Sequence, residues 1–125
     1  MGLREGKLLR ASMEFSIQIL QLYDRIDRLG FMKNQMARAA TAIGANIHEA
    51  EYAESAFDFV HKLKIALKEC HETEYWLKIL CSAFPNLSTE AEQLKDAAGR
   101  IRCMLIASIQ KMNIRLNSSN GENRG

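Results

Sequence analysis

Three groups of residues in this chain have side chains that could bind or react. Arg38, Asn46 and Glu49 share one side of a helical stretch, at steps of eight and three, and Glu69 and Glu72 lie three apart in the next apolar segment. Arg38 carries a fork of donors, and Asn46 carries both donors and an acceptor. At a helix boundary they can hold the two later carboxylates and fix how the helices register. Catalysis by the same set would need a reacting centre. The chain offers no paired His, no Cys-His arrangement and no cleft-forming Gly-rich loop, so a structural polar motif is expected and an enzyme is not.

Metal chemistry is no better supplied. A di-iron bundle needs a Glu-x-x-His on each of two helices. Asp58-x-x-His61 is the nearest approach, while His48 and His71 have Ala45 and Lys68 where the carboxylate should be. Cys70 and Cys81 are eleven apart and the three cysteines form no C-x-x-C pair, so reduced thiols are expected in place of zinc ligands or disulfides. Neither a metal nor a cofactor is expected. His48, His61 and His71 read as solvated or interfacial side chains, and Tyr75-Trp76 as packing more than as a platform for stacked bases.

The third group is basic. Arg100, Lys111 and Arg115 fall within about 60° of one another on a helix, with no acid between them, and Lys7, Arg10, Arg25 and Arg28 cluster similarly near the N-terminus. Such stripes can neutralise phosphates along a nucleic-acid backbone, which makes these seven residues the candidate RNA contacts. The ordinary alternative is a solvated charged face.

Positioning these groups falls to helices. Leu8, Phe15, Ile19, Leu22, Ile26 and Leu29 recur at three- and four-residue steps, so a first helix is expected over about 7–29, stopped by Gly30. A second, over about 33–52, is rich in small residues (Ala37, Ala39, Ala40, Ala42, Gly44 and Ala45) that let neighbours approach closely. Ser55 is a natural N-cap, with Asp58 in the first turn, for a third helix over about 55–84 that ends before Pro85. Thr89 with Glu92 makes a capping box for a fourth over about 89–117, and residues 118–125 read as a flexible polar tail. Short connections make successive helices antiparallel neighbours. The expected fold is all-α, an antiparallel up-down-up-down four-helix bundle over residues 1–117, in one domain.

Two of these helices carry more apolar surface than one core can cover. Beside the core stripe, Leu9, Met13, Leu20 and Tyr23 line a second face of the first helix. On the third, Ile65, Trp76 and Ile79 point away from a core stripe of Val60, Leu63, Leu67, Cys70, Leu77 and Cys81. A large apolar side chain left in water forgoes about 1.5–3 kcal/mol, so these seven second-face positions are the expected oligomer interface.

Composition sets the remaining bounds. At 125 residues the chain can bury a core without metal or disulfide staples, and 47% hydrophobic residues with a single proline exclude disordered and collagen-like classes. No apolar run approaches the ~18 residues of a membrane helix, and Met1 to Arg10 is charged where a signal peptide is apolar. A cytoplasmic protein with no membrane partner is expected. The net charge of +2 does not itself argue for nucleic acid, but Ala97 to Gly125 holds five bases against Glu122 alone, whereas Glu49 to Asp58 holds four acids and no base.

The order of residues from Asn34 to Leu80 is more specific than any of this. It runs Arg-Ala-Ala-Thr-x-Ile-Gly-x-Asn-Ile-x-Glu-Ala (Arg38 to Ala50), Ser-x-x-Asp-Phe (Ser55 to Phe59), then Lys-Leu-x-Ile-Ala-Leu-Lys-Glu and Glu-Thr-x-Tyr-Trp-Leu. This order resembles the four-helix-bundle proteins encoded in intervening sequences of bacterial 23S ribosomal RNA genes. The resemblance implies a homopentamer, a ring of bundles around a central channel, where the apolar faces alone would imply only an oligomer. It also implies an association with RNA, shared with the similar accessory protein of diversity-generating retroelements, than which this chain is less basic. The expectation is a non-enzymatic oligomeric scaffold, RNA-associated through basic stripes on the first and fourth helices. The alternative is a module that binds a protein partner without nucleic acid.

Overall fold

The computed structural model describes the backbone of residues 6–124 and the side chains of residues 6–118. Its helices are α1 (Lys7–Arg25), α2 (Gly30–Ala50), α3 (Ala56–Ala83) and α4 (Ser88–Arg124), with a 3₁₀ turn at Pro85–Leu87 leading into the last. Residues 1–5 and 125, which the expected domain and tail include, lie outside the described residues.

Contacts between helices fix their directions. Tyr23 Oη donates to Asn34 Oδ1 at 2.7 Å beside the first turn, while Gly44 far along α2 faces Ser12 and Ser16 in the first half of α1. Arg38 near the start of α2 reaches Glu72 late in α3, and Glu49 at the end of α2 reaches Lys62 early in α3. Cys81 lies against Ser88 and Cys70 against Ala98, and Arg25 at the end of α1 meets Glu90 at the start of α4. Each helix therefore runs antiparallel to the next, α4 closes on α1, and among the described residues no pair of α-carbons on diagonally opposed helices comes within 8 Å. The result is an up-down-up-down four-helix bundle. Phe15 and Ile19 from α1, Met36, Ile43 and Ile47 from α2, Leu63, Leu77 and Leu80 from α3, and Leu105 from α4 fill its fully buried centre.

Small residues bring α1 and α2 together. A Cβ on Gly44 would lie 3.4 Å from Ser16 Oγ and 3.5 Å from Ser12 O, so alanine fits there and a larger side chain forces the helices apart. Both serine hydroxyls donate back into α1, Ser12 to Leu9 O and Ser16 to Ser12 O, each at 2.9 Å. The seam is thus polar in composition without unsatisfied groups. Ala39 and Ala40 are buried as their size suggests, while Ala45 faces outward.

Helix ends depart from the sequence expectation in three places. α1 stops at Arg25, because Ile26 turns extended (φ −92°, ψ 114°) to enter the core, and its carbonyl accepts from Lys33 Nζ at 2.8 Å. Leu29 is then no core residue. It is exposed and takes the left-handed φ of 56° as the N-cap of α2, so Gly30 opens a helix where it was expected to stop one. Ser55 caps α3 as expected, accepting from Asp58 N at 3.0 Å. The capping box at Thr89 does not form. The 3₁₀ turn lets α4 begin at Ser88, and Glu92 is drawn instead to Lys95 Nζ at 3.3 Å and to the Cys81 thiol. Finally, α4 continues through the expected polar tail to Arg124, since extending an existing helix adds a hydrogen bond per residue without a new nucleus.

Candidate functional site

The polar motif ties α2 to α3. Arg38 Nη2 donates to Glu72 Oε2 at 2.5 Å, Nη1 lies 3.4 Å from Glu69 Oε2, and Nε donates to Gln35 Oε1 at 3.3 Å. Partial desolvation pulls the Arg38 pKa down, but the charges of Glu69 and Glu72 together outweigh it and leave it raised. Glu69 Oε2 is shut off from water and receives no hydrogen bond, so its only compensation is the Arg38 charge. One residue short of the end of α2, Glu49 Oε2 lies 3.1 Å from Lys62 Nζ and makes a second tie. Asn46 departs from the expectation that it reaches the α3 carboxylates. Its Nδ2 donates to Ala42 O at 2.8 Å, a carbonyl one turn back in its own helix. The arrangement has the parts of a register lock, with one enclosed carboxylate oxygen of Glu69 set beside the arginine.

The thiols and imidazoles are scattered. His48, His61 and His71 are exposed, and among the described residues no group of three His, Cys, Asp or Glu could hold a metal ion. Cys70 is buried, its thiol donating to Ala98 O at 3.2 Å, and burial with the nearby Glu74 carboxylate pushes its pKa up to about 12. A thiol so rarely ionised is no nucleophile at neutral pH. Cys81 is half-buried, its pKa raised by burial and by Glu92, and Cys103 is exposed.

The expected oligomer face divides in two. On α1, Met13 and Leu20 are 58% and 49% exposed, and Ile17 between them, which the sequence reading passed over, is 52% exposed. Leu9 is half-buried against the core, and Tyr23 is half-buried with Lys33 Nζ 4.5 Å above its ring. Ala37, Thr41, Ala45 and His48 flank Gly44 on the adjoining side of α2, so this surface carries little charge. On α3 the second face is partly covered within the bundle itself. Ile65 is half-buried, and Trp76 and Ile79 pack against the core, with Trp76 Nε1 enclosed and unpartnered. With α2 on one side and α4 on the other, α3 buries a wider arc than a single apolar stripe suggests.

The seven basic candidates also divide. Arg25 Nη1 pairs with Glu90 Oε1 at 3.1 Å, and the Arg28 guanidinium sits 4.9 Å over the Phe84 ring, so both help to close the bundle. Lys7, Arg10, Arg100, Lys111 and Arg115 are exposed and have no ion pair among the described residues. Lys7 and Arg100 border a groove of about 1160 Å³ along α4, with Gln18, Lys78 and Lys95 also on its walls.

The model for the 23S rRNA-intervening sequence protein matches residues 4–107. The chain belongs to that family. A crystal structure of a protein with unknown function from the S23 ribosomal protein family of Bacteroides thetaiotaomicron VPI-5482 is similar at 36% identity, with a TM-score of 0.78, covering 86% of this chain and 99% of that one. No curated protein matches the chain.

In this member of the 23S rRNA-intervening sequence protein family, the Arg38 to Ala50 motif supplies both the α2–α3 ties and the small-residue seam with α1. The matched span includes Lys7, Arg10 and Arg100 and ends before Lys111 and Arg115. Phe31, Tyr52 and Phe57, exposed at 71%, 77% and 80%, went unread because they lie at helix ends, where periodicity gives no face. Among the described residues no helix is long and apolar enough to cross a membrane.

Proposed function

We propose that this protein is a non-enzymatic scaffold that self-assembles through the outer face of α1 and carries RNA on the edge formed by α1 and α4. The observation that supports this reading is the separation of two surfaces. Met13, Ile17 and Leu20 form an exposed apolar row beside an uncharged flank of α2, with Arg10 and Asp24 at its two ends, while Lys7, Arg100, Lys111 and Arg115 stand off that row with no ion pair among the described residues. An assembly of five, as the family resemblance implies, would repeat a weak phosphate site and turn it into a strong one. The family name, which refers to the intervening sequences of 23S rRNA, favours RNA over other polyanions.

Light scattering should give about five times the 14.2 kDa chain mass, and Met13→Asp with Leu20→Asp should reduce it to the monomer without loss of helicity. Wild-type protein should retard structured RNA in a gel, and replacing Arg100, Lys111 and Arg115 with Gln should flatten the salt dependence by about two units of slope. A monomeric mass across the micromolar range would remove the assembly. Absence of RNA binding at low salt would leave the second reading, a protein partner held by the exposed Phe31, Tyr52 and Phe57.

A further inference from the structure

The solvent face of α3 carries a basic row that the sequence analysis did not single out. Lys64, Lys68, His71, Tyr75 and Lys78 follow one another at steps of four, three, four and three, and all are exposed. That spacing holds them within about 80° of arc and spreads them over about 21 Å of helix. No acid lies on this arc. The nearest ones, Glu72 and Glu74, are turned aside by arginines from the neighbouring helices, Glu72 by Arg38 of α2 and Glu74 by Arg102 of α4 at 2.8 Å. The three lysines have no ion pair among the described residues. Lys64 and Lys68 stand one turn apart, a like-charge spacing that disfavours the helix. In the middle of the row Tyr75 is 58% exposed, its ring held at 5.2 Å and 69° to Trp76, which is itself seated against the core. His71, Tyr75 and Lys78 also form one wall of a groove that reaches Lys95 and Arg100 on α4 and is bordered by Glu14, Glu74 and Asp96 as well.

We infer that this face binds single-stranded RNA, with Lys64 and Lys68 on phosphates at one end of the row, Lys78 on a phosphate about 15 Å further along the strand, and an unpaired base stacked on Tyr75 between them. The inference rests on the RNA reading above and adds to it a second surface and a strand preference. Unmatched lysines at both ends of the row suit a backbone of phosphates, and an exposed aromatic ring between them, braced from below, suits the face of a base, which a duplex keeps stacked inside. A row of lysines alone would serve duplex and single strand equally. The tyrosine makes the difference.

Fluorescence anisotropy of the full chain with a labelled 20-nucleotide oligouridine, against an RNA hairpin of equal charge, tests this. Wild type should prefer the single strand. Lys64→Gln, Lys68→Gln and Lys78→Gln together should lower the salt slope by about two units. Tyr75→Ala should weaken binding about tenfold or more, while Tyr75→Phe, which keeps the ring, should bind as wild type. Circular dichroism and light scattering on each variant confirm that the bundle and its assembly are unchanged. Wild-type affinity in the triple lysine variant, with binding lost in the Arg100, Lys111 and Arg115 variant, would overturn the α3 surface and leave the α1–α4 edge standing. No binding of either RNA by wild type would overturn both. Equal affinity of Tyr75→Ala and wild type, or competition by poly-glutamate as effective as by oligouridine, would also overturn it, the latter assigning the row to an acidic polypeptide.

Discussion

The seam between α2 and α3 and the seam between α1 and α4 use the same kinds of side chain to opposite ends. Between α2 and α3 the charges match: Arg38 holds Glu69 and Glu72, and Lys62 holds Glu49. Between α1 and α4 the one ion pair among the described residues is Arg25 with Glu90. The rest of that seam is open, with Gln18, Gln21 and Gln93 lining a cleft of about 320 Å³ and Arg100 on its border without an acid to meet. An arginine facing two carboxylates holds the fold, and an arginine facing glutamines is left for something outside it. Local charge balance, more than residue type, separates the structural cation from the one available to a partner.

The two seams should differ most in the core. Ile43→Ala on α2, where the side chain is fully buried, should cost about 2–5 kcal/mol in urea denaturation, because the well-packed centre cannot collapse around the cavity. Leu94→Ala on α4, whose side chain is 8% exposed and borders the open cleft, should fall at or below the bottom of that range. Equal costs would show that the two seams are packed alike.

A smaller effect separates the two ion-pair sites. Arg38→Met leaves the enclosed Glu69 oxygen without its compensating charge and should cost about 1–2 kcal/mol after allowance for solvent screening. Arg25→Met should leave the urea midpoint where it is, since that pair lies in water. A measurable loss at Arg25 with none at Arg38 would reverse the assignment of structural and available charge.

The smallest effect is a titration. Glu90 has its pKa lowered from 4.5, first by its own backbone N–H in the first turn of α4 and then by the Arg25 hydrogen bond. A depressed carboxylate contributes stability above its unfolded pKa and loses it as pH falls through the folded value. The carboxyl carbon shift of Glu90 should therefore titrate below 4.5, and Arg25→Met should bring the midpoint only part of the way back. Full restoration would make Arg25 the main cause and the α1–α4 closure tighter than the geometry implies.

Much of this molecule was legible along the chain. The Ser55 cap was, because a serine before an apolar run with Asp58 three residues later satisfies its donors locally. The core positions Phe15, Ile19, Leu63 and Leu77 were also legible, because a helical period is a property of one segment. Leu29 was misread because it continued the period of α1, and only the need to seat Ile26 and turn into α2 ended the helix four residues sooner. Asn46 was misread because an amide has a partner within its own helix as often as across a boundary.

By itself, then, the sequence determined the number and order of the helices, their antiparallel sense, the central core and the family, all of which follow from periodicity, loop length and the order of residues. The tertiary structure decided which side chains have partners. It drew Trp76 and Ile79 inward, left Met13, Ile17 and Leu20 outside, gave Arg25 to Glu90 and Arg28 to Phe84, and turned Glu72 and Glu74 away from the lysines of α3. Charge pairing and burial depend on distances of a few ångströms between helices far apart in the chain, and no periodicity within a single helix encodes those distances.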